Sequence, residues 1–312
     1  EEVAQTIADS SLLPGDRLPS VRVLCSRRGV SLATVLGAYA LLERRGLVEC
    51  RPRSGYFVAR RRPLPLQAAA SAPHVAIANP VDVSELVFHI LHATREGRLL
   101  PFGSAFPNPE LFPLPVLATA LAKSTRRLDP WMTVTDLPPG SLALRREIAR
   151  RYLALGAEVP VEGILITNGA MEALNLCLQA VAPPGSVVAI ESPAFYGALQ
   201  AIERLGLRAV EVPTDPVHGI NPEALLAVLD AQPVTACWFM SNFQNPLGAS
   251  VPDAQRADIV RLLAERGIPL IEDDVYGELY FGERVRRPFK CFDTEGLVLH
   301  CSGFSKCLAP GY

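Results

Sequence analysis

The chain is 312 residues long and 49% apolar, with 30 basic against 32 acidic side chains. That is room for two domains, or for one large α/β domain with an appendage, and it excludes a protein with an overall electrostatic bias. No apolar run approaches the ~18 residues of a membrane span and no basic-then-apolar signal opens the chain, so no membrane partner is expected and a cytoplasmic location is. The seven cysteines are odd in number and lack C-x-x-C spacing, which reads as reduced thiols rather than disulfides or a zinc site. The chain opens on Glu1-Glu2-Val3-Ala4, inside a helix whose apolar positions are Val3, Ala4 and Ile7, and stops at Gly311-Tyr312. Elements that meet a terminus without a cap or stop signal predict a chain cut at both ends.

Residues 1–62 depart from the neutral whole, with eleven arginines against six acidic residues, a net charge of +5. The pattern predicts a helix to about Ser10, a turn at Pro14-Gly15-Asp16, a short helix from about Ser20 to Arg28, a turn at Gly29, and a second helix from about Leu32 to Arg45 stopped by Gly46. Ser31 stands where that second helix needs an N-cap. Two helices joined by a short glycine turn make a helix-turn-helix, whose second helix can enter a major groove. Leu47-Val48-Glu49 and Tyr56-Phe57-Val58 then bracket Arg51-Pro52-Arg53-Ser54-Gly55, a hairpin with a basic tip able to reach phosphate or the minor groove. A solvated charged face on a structural appendage would give the same pattern.

Pro14-Gly15-Asp16-Arg17-Leu18-Pro19-Ser20-Val21-Arg22, with Val30-Ser31, Thr34-Val35, Ala38-Tyr39, Gly46-Leu47 and Ser54-Gly55-Tyr56-Phe57-Val58, resembles the winged helix of GntR-type bacterial transcription regulators. The resemblance implies that Arg22, Ser31, Thr34 and Gly55 contact DNA backbone or base edges, beside the hairpin-tip arginines Arg51 and Arg53. One departure stands out: the family often has arginine just after the serine at Ser31, and this chain has Leu32.

Residues 61–84, rich in proline and alanine without periodicity, read as an extended linker between a domain at 1–60 and a second at 85–312. Beyond it, strand-like apolar runs at Gly163-Ile164-Leu165-Ile166, Val187 to Ile190, Ala209 to Val212, Ala236 to Met240 and Pro269-Leu270-Ile271 alternate with helical segments such as Ala170 to Val181 and Ala254 to Arg266. Strands that are apolar throughout are covered by helices on both faces, which predicts an α/β fold on a mainly parallel sheet. Ligands of such sheets bind beyond the carboxyl ends of the strands.

The residues at those ends carry the chemistry. Thr167-Asn168-Gly169-Ala170-Met171 opens a helix whose N–H groups can approach a phosphate, although a strand-glycine-helix junction is common. Pro193-Ala194-Phe195-Tyr196-Gly197 offers a ring that could stack on a planar heterocycle, and core packing accounts for it equally well. Asn245-Pro246-Leu247-Gly248 holds an amide able to donate to a phenolate oxygen, or is a plain turn. Glu272-Asp273-Asp274-Val275-Tyr276 supplies acids that could keep a pyridine nitrogen protonated, or bind a metal for which no histidine stands near in sequence. Lys306, in Ser302-Gly303-Phe304-Ser305-Lys306, is one of three lysines in the chain, with Lys123 and Lys290. Only a lysine amine, not an arginine, forms a Schiff base with an aldehyde.

Taken in that order, from about Pro107 to Tyr312, these motifs resemble the fold-type I aminotransferases that use pyridoxal 5′-phosphate (PLP). The resemblance implies that Lys306 bonds the cofactor aldehyde, Asp273 pairs with its ring nitrogen, Asn245 and Tyr276 bond its ring oxygen, and Phe195 stacks on it. Gly169-Ala170-Met171 and Ser305 would hold its phosphate, with no metal. Two departures accompany it: Gly303 stands where a hydroxyl residue is usual, and the phosphate-binding arginine expected soon after the lysine would fall beyond Tyr312. A winged helix, linker and aminotransferase-like domain together resemble the MocR subfamily. That implies a homodimeric regulator of a double-stranded DNA operator, modulated by PLP or a small amine or amino-acid effector. The alternatives are a PLP-dependent aminotransferase acting on an amino acid and a 2-oxo acid, and a DNA-binding module that dimerises through its large domain.

Overall fold

Buried apolar residues collect into separate cores, and the chain divides into two units, residues 1–67 and 68–312. The computed structural model describes residues 2–8, 12–52, 54–59, 77–95, 105, 107–283 and 285–311. Each unit is built by a different periodicity.

In the first unit, α1 (Glu2–Ala8), α2 (Val21–Arg28) and α3 (Leu32–Arg44) precede a hairpin of β1 (Val48–Arg51) and β2 (Gly55–Val58). Helix α3 buries Val35, Tyr39 and Leu42, an i, i+4, i+7 stripe that faces one way on a helix. These residues pack with Leu18 and Val48, and with Val3, Ala4 and Ile7 of α1. The Tyr39 hydroxyl, sunk with its ring, donates to the Pro19 carbonyl at 2.6 Å. Ser20 Oγ accepts from Val23 N to start α2, and Gly29 ends it at φ 65°, a left-handed turn that glycine adopts at no steric cost. Ser31 Oγ accepts from Thr34 N at 3.2 Å, so the expected N-cap is present. β1 and β2 pair antiparallel with Val48 opposite Val58 and Arg51 opposite Gly55, and Arg17 bridges to Phe57 on the outer side.

The second unit runs β3 (Asn79–Pro80), α4 (Ser84–Arg95), α5 (Leu114–Thr125), α6 (Met132–Thr135), α7 (Leu142–Ala154), α8 (Ala170–Val181), β4 (Val187–Ser192), α9 (Tyr196–Arg204), β5 (Arg208–Asp215), β6 (Gly219–Ile220), α10 (Pro222–Ala231), β7 (Val234–Phe239), α11 (Asp253–Glu265), β8 (Leu270–Asp273) and β9 (Val298–Cys301). The sheet order is β3-β5-β4-β7-β8-β9, with β6 paired to β5. The core pairings β4/β5, β4/β7, β7/β8 and β8/β9 are parallel, while β3 and β6 run antiparallel to β5. Val188, Ile190, Trp238 and Ile271 join a cluster with Leu174 and Leu178 of α8 and Ile202 of α9. Their neighbours Val187, Ala189, Phe239 and Leu270 join Leu225 of α10 and Ile259 of α11 on the opposite face. Both faces are therefore covered, as the unbroken apolar runs predict. Each fully buried valine, isoleucine or leucine in these layers contributes roughly 1.5–3 kcal/mol.

Two expectations need correction. Gly163-Ile164-Leu165-Ile166 is not a strand: Val161–Gly163 is a 3₁₀ turn, and the residues after it, extended at Ile164, do not enter the sheet. The run is apolar enough for a strand, but it pairs with no strand of the sheet, and its residues line a cavity of about 820 Å³ together with residues of 298–303. Without a neighbouring strand its backbone has no ladder to join. The end of the expected linker is also ordered structure. Asn79 pairs with Ala209 of β5, and Glu203 Oε2 accepts from Val83 N, Ser84 N and Ser84 Oγ, which fixes the start of α4. Residues 61–76 of that segment lie outside the described residues.

Candidate cofactor site and nucleic-acid interface

β4, β7, β8 and β9 end along one edge of the sheet, and polar segments follow each of them. At the end of β8 three consecutive carboxylates are all buried, and hydrogen bonding sorts them. Glu272 belongs to the sheet's other face, where it accepts from Ser241 Oγ, Phe289 N and Lys290 N. Asp274 accepts from Asn242 Nδ2 at 3.0 Å and meets His300 Nε2 at 3.3 Å. Asp273, 1% exposed, is register partner to Cys301 and keeps one oxygen, Oδ1, without any hydrogen-bond partner. The Trp238 indole N–H neighbours it yet lies outside hydrogen-bonding geometry. Burial, and next the charge of Asp274, push the Asp273 pKa up to about 7. A buried carboxylate with an unmet oxygen is a costly arrangement unless a donor completes it.

Tyr276 lies in the turn after β8, half-buried. Burial and the Asp273 charge raise its pKa, and a hydrogen bond with the Asn245 side chain opposes them. Lys306 Nζ sits 5.8 Å from the centre of the Tyr276 ring and donates to the Ala105 carbonyl at 3.2 Å. Its pKa is lowered by burial, which makes a larger share of the amine available as a nucleophile. Asp273, Tyr276, Asn245 and Lys306, spread over 62 positions of the sequence, thus form one group.

A second group surrounds the start of α8. Gly169, at φ 87° and ψ 168°, leads into Ala170, and no side chain caps the helix. Its first N–H groups are therefore open to an anion. Phe195 packs against Tyr196 with ring centres 4.7 Å apart. A Cβ on Gly197 would lie 2.5 Å from the Phe195 ring and 3.3 Å from Met171 Cε, so Phe195, Gly197 and Met171 form one close contact. The chain between β9 and Lys306 crosses α8 here, with a Cβ on Gly303 falling 3.7 Å from Ala170 Cβ and 3.8 Å from Ala170 N. Ser302 does not replace the hydroxyl missing at Gly303, because its own Oγ donates to the Asp274 carbonyl at 2.9 Å. Ser305 is exposed in the turn that carries Lys306.

Sequence reasoning missed the supports. His300 hydrogen-bonds Tyr152 OH through Nδ1 at 2.5 Å and Asp274 through Nε2. Burial works to lower its pKa, but the bond to Asp274 and the charges of Glu272 and Asp274 outweigh it, and the net shift is upward. Arg256, 1% exposed, donates to Ser241 O and Asn242 Oδ1, and Gln244 Nε2 donates to Pro193 O at 2.8 Å. A second acid in Glu-Asp-Asp and a second amide in Asn-x-x-Asn are the only traces of these contacts in the sequence.

On the first unit, Arg22 is exposed on α2, and Ser31 and Thr34 stand exposed at the start of α3 with their hydroxyls 2.8 Å apart. Gly55 is at φ 107°, and the Arg17 guanidinium lies over it. Arg51 is bound to Glu49 at 2.5 Å and stacks on Phe57 at 4.4 Å from the ring centre. Arg53 lies outside the described residues. Leu32 is 55% exposed.

A parallel sheet bearing a lysine, a buried acid and an uncapped helix start at one edge is the architecture of the fold-type I, PLP-dependent class. Residues 108–309 match the family described as aminotransferase class I and II, and residues 1–58 match the bacterial regulatory proteins of the gntR family. The chain belongs to the class I and II aminotransferase family and carries a gntR-type helix-turn-helix ahead of it, the combination found in MocR-type regulators. It is 46% identical over its whole length to the uncharacterized HTH-type transcriptional regulator YdcR of Escherichia coli (strain K12), of which it spans 66%. Over 71% of the chain and 55% of the relative it is 33% identical to 2-aminoadipate transaminase of Thermus thermophilus. The structure of LysN, the alpha-aminoadipate aminotransferase of the same organism, complexed with N-(5′-phosphopyridoxyl)-L-leucine, superposes with a TM-score of 0.63 at 32% identity, covering 71% of this chain and 56% of that one.

Proposed function

We propose that this chain is the DNA-binding and cofactor-binding part of a transcription regulator, in which the second unit holds PLP and an amine or amino-acid effector biases DNA binding by the first. The observation that carries the cofactor reading is the unmet oxygen of Asp273: a protonated pyridine nitrogen is the donor that a buried acid at a strand end lacks. When bound, PLP supplies an aldehyde that condenses with amines and a ring that withdraws electrons. Lys306 is the residue to bond the aldehyde carbon. Tyr276 and Asn245 orient the ring oxygen, Phe195 covers the ring, and the N–H groups at Gly169, Ala170 and Met171, with Ser305, receive the phosphate. In the first unit, Arg22, Arg51 and Arg53 meet phosphates, and Ser31, Thr34 and Gly55 border the grooves. The working boundaries are 1–60 for the DNA-binding domain and 85–312 for the cofactor domain, with residues 79–84 assigned to the latter's sheet edge, and the active species is a homodimer in the cytoplasm.

Regulation requires a ligand with unequal affinity for two states of the molecule. Operator DNA must then change the affinity for PLP or its amine adduct by the same factor that the ligand changes DNA affinity, typically 5- to 150-fold or about 1–3 kcal/mol. The test is a promoter titration of the full chain without PLP, with PLP, and with PLP plus amine. Likeness to a transaminase favours a second reading, an enzyme exchanging amino groups between an amino acid and a 2-oxo acid. Three identical titration curves with rapid multiple-turnover transamination would establish that reading instead.

A further inference from the structure

Helix α3 carries an outer face that its core role does not explain. Val35, Tyr39 and Leu42 point inward, yet Leu32 and Leu36 are 55% and 41% exposed, and Ala33, Gly37 and Ala40 are exposed beside them. Leu32 and Leu36 are one turn apart and therefore neighbours on the same side. A Cβ on Gly37 would meet nothing within 4 Å, so no part of the unit packs there. From Leu32 to Leu42 the helix contains no arginine, lysine, asparagine or glutamine, the side chains that make paired hydrogen bonds to guanine or adenine edges. Its first charged residues are Glu43 and Arg44, at the far end.

Charge decides what covers this face. Arg22, Arg27, Arg28, Arg44 and Arg45 are all exposed on α2 and at the end of α3, and the hydroxyls of Ser31 and Thr34 lie at the helix start. The fitting partner is a polyanion that presents apolar groups between its charges. In a DNA major groove the base edges offer one such group, the C5 methyl of thymine.

We infer that α3 reads its operator through contacts of Leu32 and Leu36 with thymine methyl groups, in place of hydrogen bonds from charged or amide side chains. The inference rests on the DNA-binding reading above and adds the base that is read. Arginines supply the sequence-independent affinity, and the leucines supply discrimination through A·T pairs. The arginine usual in the family at position 32 would instead favour guanine.

The test uses the full chain and a pool of random duplexes. Selected half-sites are expected to carry A·T pairs where α3 docks. Replacing those thymines with deoxyuridine, which removes only the methyl, should weaken binding about fourfold per methyl, the equivalent of ~0.8 kcal/mol per buried carbon group. Leu32→Ala, at an exposed site, should make one of those replacements neutral and lower affinity for the thymine duplex to match. Selection of G·C pairs at the docking positions, or equal affinity for the thymine and deoxyuridine duplexes, overturns the inference while leaving DNA binding intact. So does a Leu32→Ala protein that keeps its preference for thymine but changes oligomeric mass, the sign of a protein partner on this face. Failure to enrich any duplex, with no salt-dependent binding, removes the DNA-binding reading itself.

Discussion

Asp273 and Asp274 are adjacent in sequence and opposite in circumstance: Asp274 has both Asn242 and His300 as partners, while Asp273 holds an oxygen that nothing meets. The pKa of Asp273 in the folded protein, about 7, lies well above the ~3.9 of an unperturbed aspartate. Its contribution to stability is therefore fully present below about pH 4 and is lost as pH rises through about 7.

In protein without PLP, Asp273→Asn should remove this slope. The expected difference in unfolding free energy between wild type and variant changes by on the order of 4 kcal/mol across that window, with wild type losing stability toward high pH. Urea melts at pH 4 and pH 8 measure it. A slope that persists in Asp273→Asn and disappears in Asp274→Asn would exchange the roles of the two acids.

Lys306→Ala should abolish the visible band of lysine-bound PLP and its trapping by borohydride. Lys123→Ala and Lys290→Ala should retain both, since Lys290 Nζ is engaged by Asp293 Oδ2 and the Val298 carbonyl. Peptide mapping after borohydride reduction identifies the modified residue, and any lysine other than Lys306 sinks the assignment.

Gly197→Ala would bring a methyl to 2.5 Å of the Phe195 ring. Overpacking of this kind costs typically 1–3 kcal/mol, and here the ring that moves is the one expected to cover the cofactor. Both the melting midpoint and PLP affinity should fall. A variant that loses neither would mean that Phe195 has another place to go.

Gly303→Ser should do the reverse. Its Cβ has ordinary contact room beside Ala170 N, so the added hydroxyl reaches the open start of α8. A hydrogen bond to a charged group contributes about 1.5–3 kcal/mol, which predicts PLP binding tighter by roughly tenfold or more in a fluorescence titration.

Glu49→Gln should release Arg51 from its ion pair. If Arg51 then gains a phosphate, DNA affinity rises at low salt and the dependence of log affinity on log salt steepens by about 0.9. Unchanged slopes in both Glu49→Gln and Arg51→Ala would place the hairpin tip away from DNA.

Much of the fold was legible because the two periodicities are clean. Val35, Tyr39 and Leu42 mark a helix face, and Val187 to Ile190 mark a strand covered on both sides. Ser31 was readable as a cap because its chemistry is local. The run at Gly163 to Ile166 misled because strand propensity says nothing about whether a neighbouring strand exists. Asp273 could be named from the Asp-x-x-Tyr motif but not separated from Glu272 and Asp274 on physical grounds, since burial and hydrogen-bond satisfaction depend on Trp238, Asn242, His300 and Phe289, each from a distant segment. The Arg51–Glu49 pair was hidden for a different reason: residues two apart on a strand share a face, but their side chains stand about 7 Å apart at the backbone, and only the twist of a short hairpin lets such long side chains meet.

Three carboxylates in a row at a strand end pose a proofreading problem for the folding chain. A one-residue slip of β8 would turn each side chain to the other face, and in one direction it would put Asp273 and Asp274 in the places of Glu272 and Asp273. At those two places charge is blind to the error, and length is not. Glu272 spans to two backbone N–H groups, Phe289 and Lys290, and to Ser241 Oγ, and an aspartate in its place is one methylene short. Each amide left unmet in the interior would cost about 1–3 kcal/mol. The difference between glutamate and aspartate, conservative in most settings, here encodes which acid meets Ser241, Phe289 and Lys290 and which is left with an unmet oxygen.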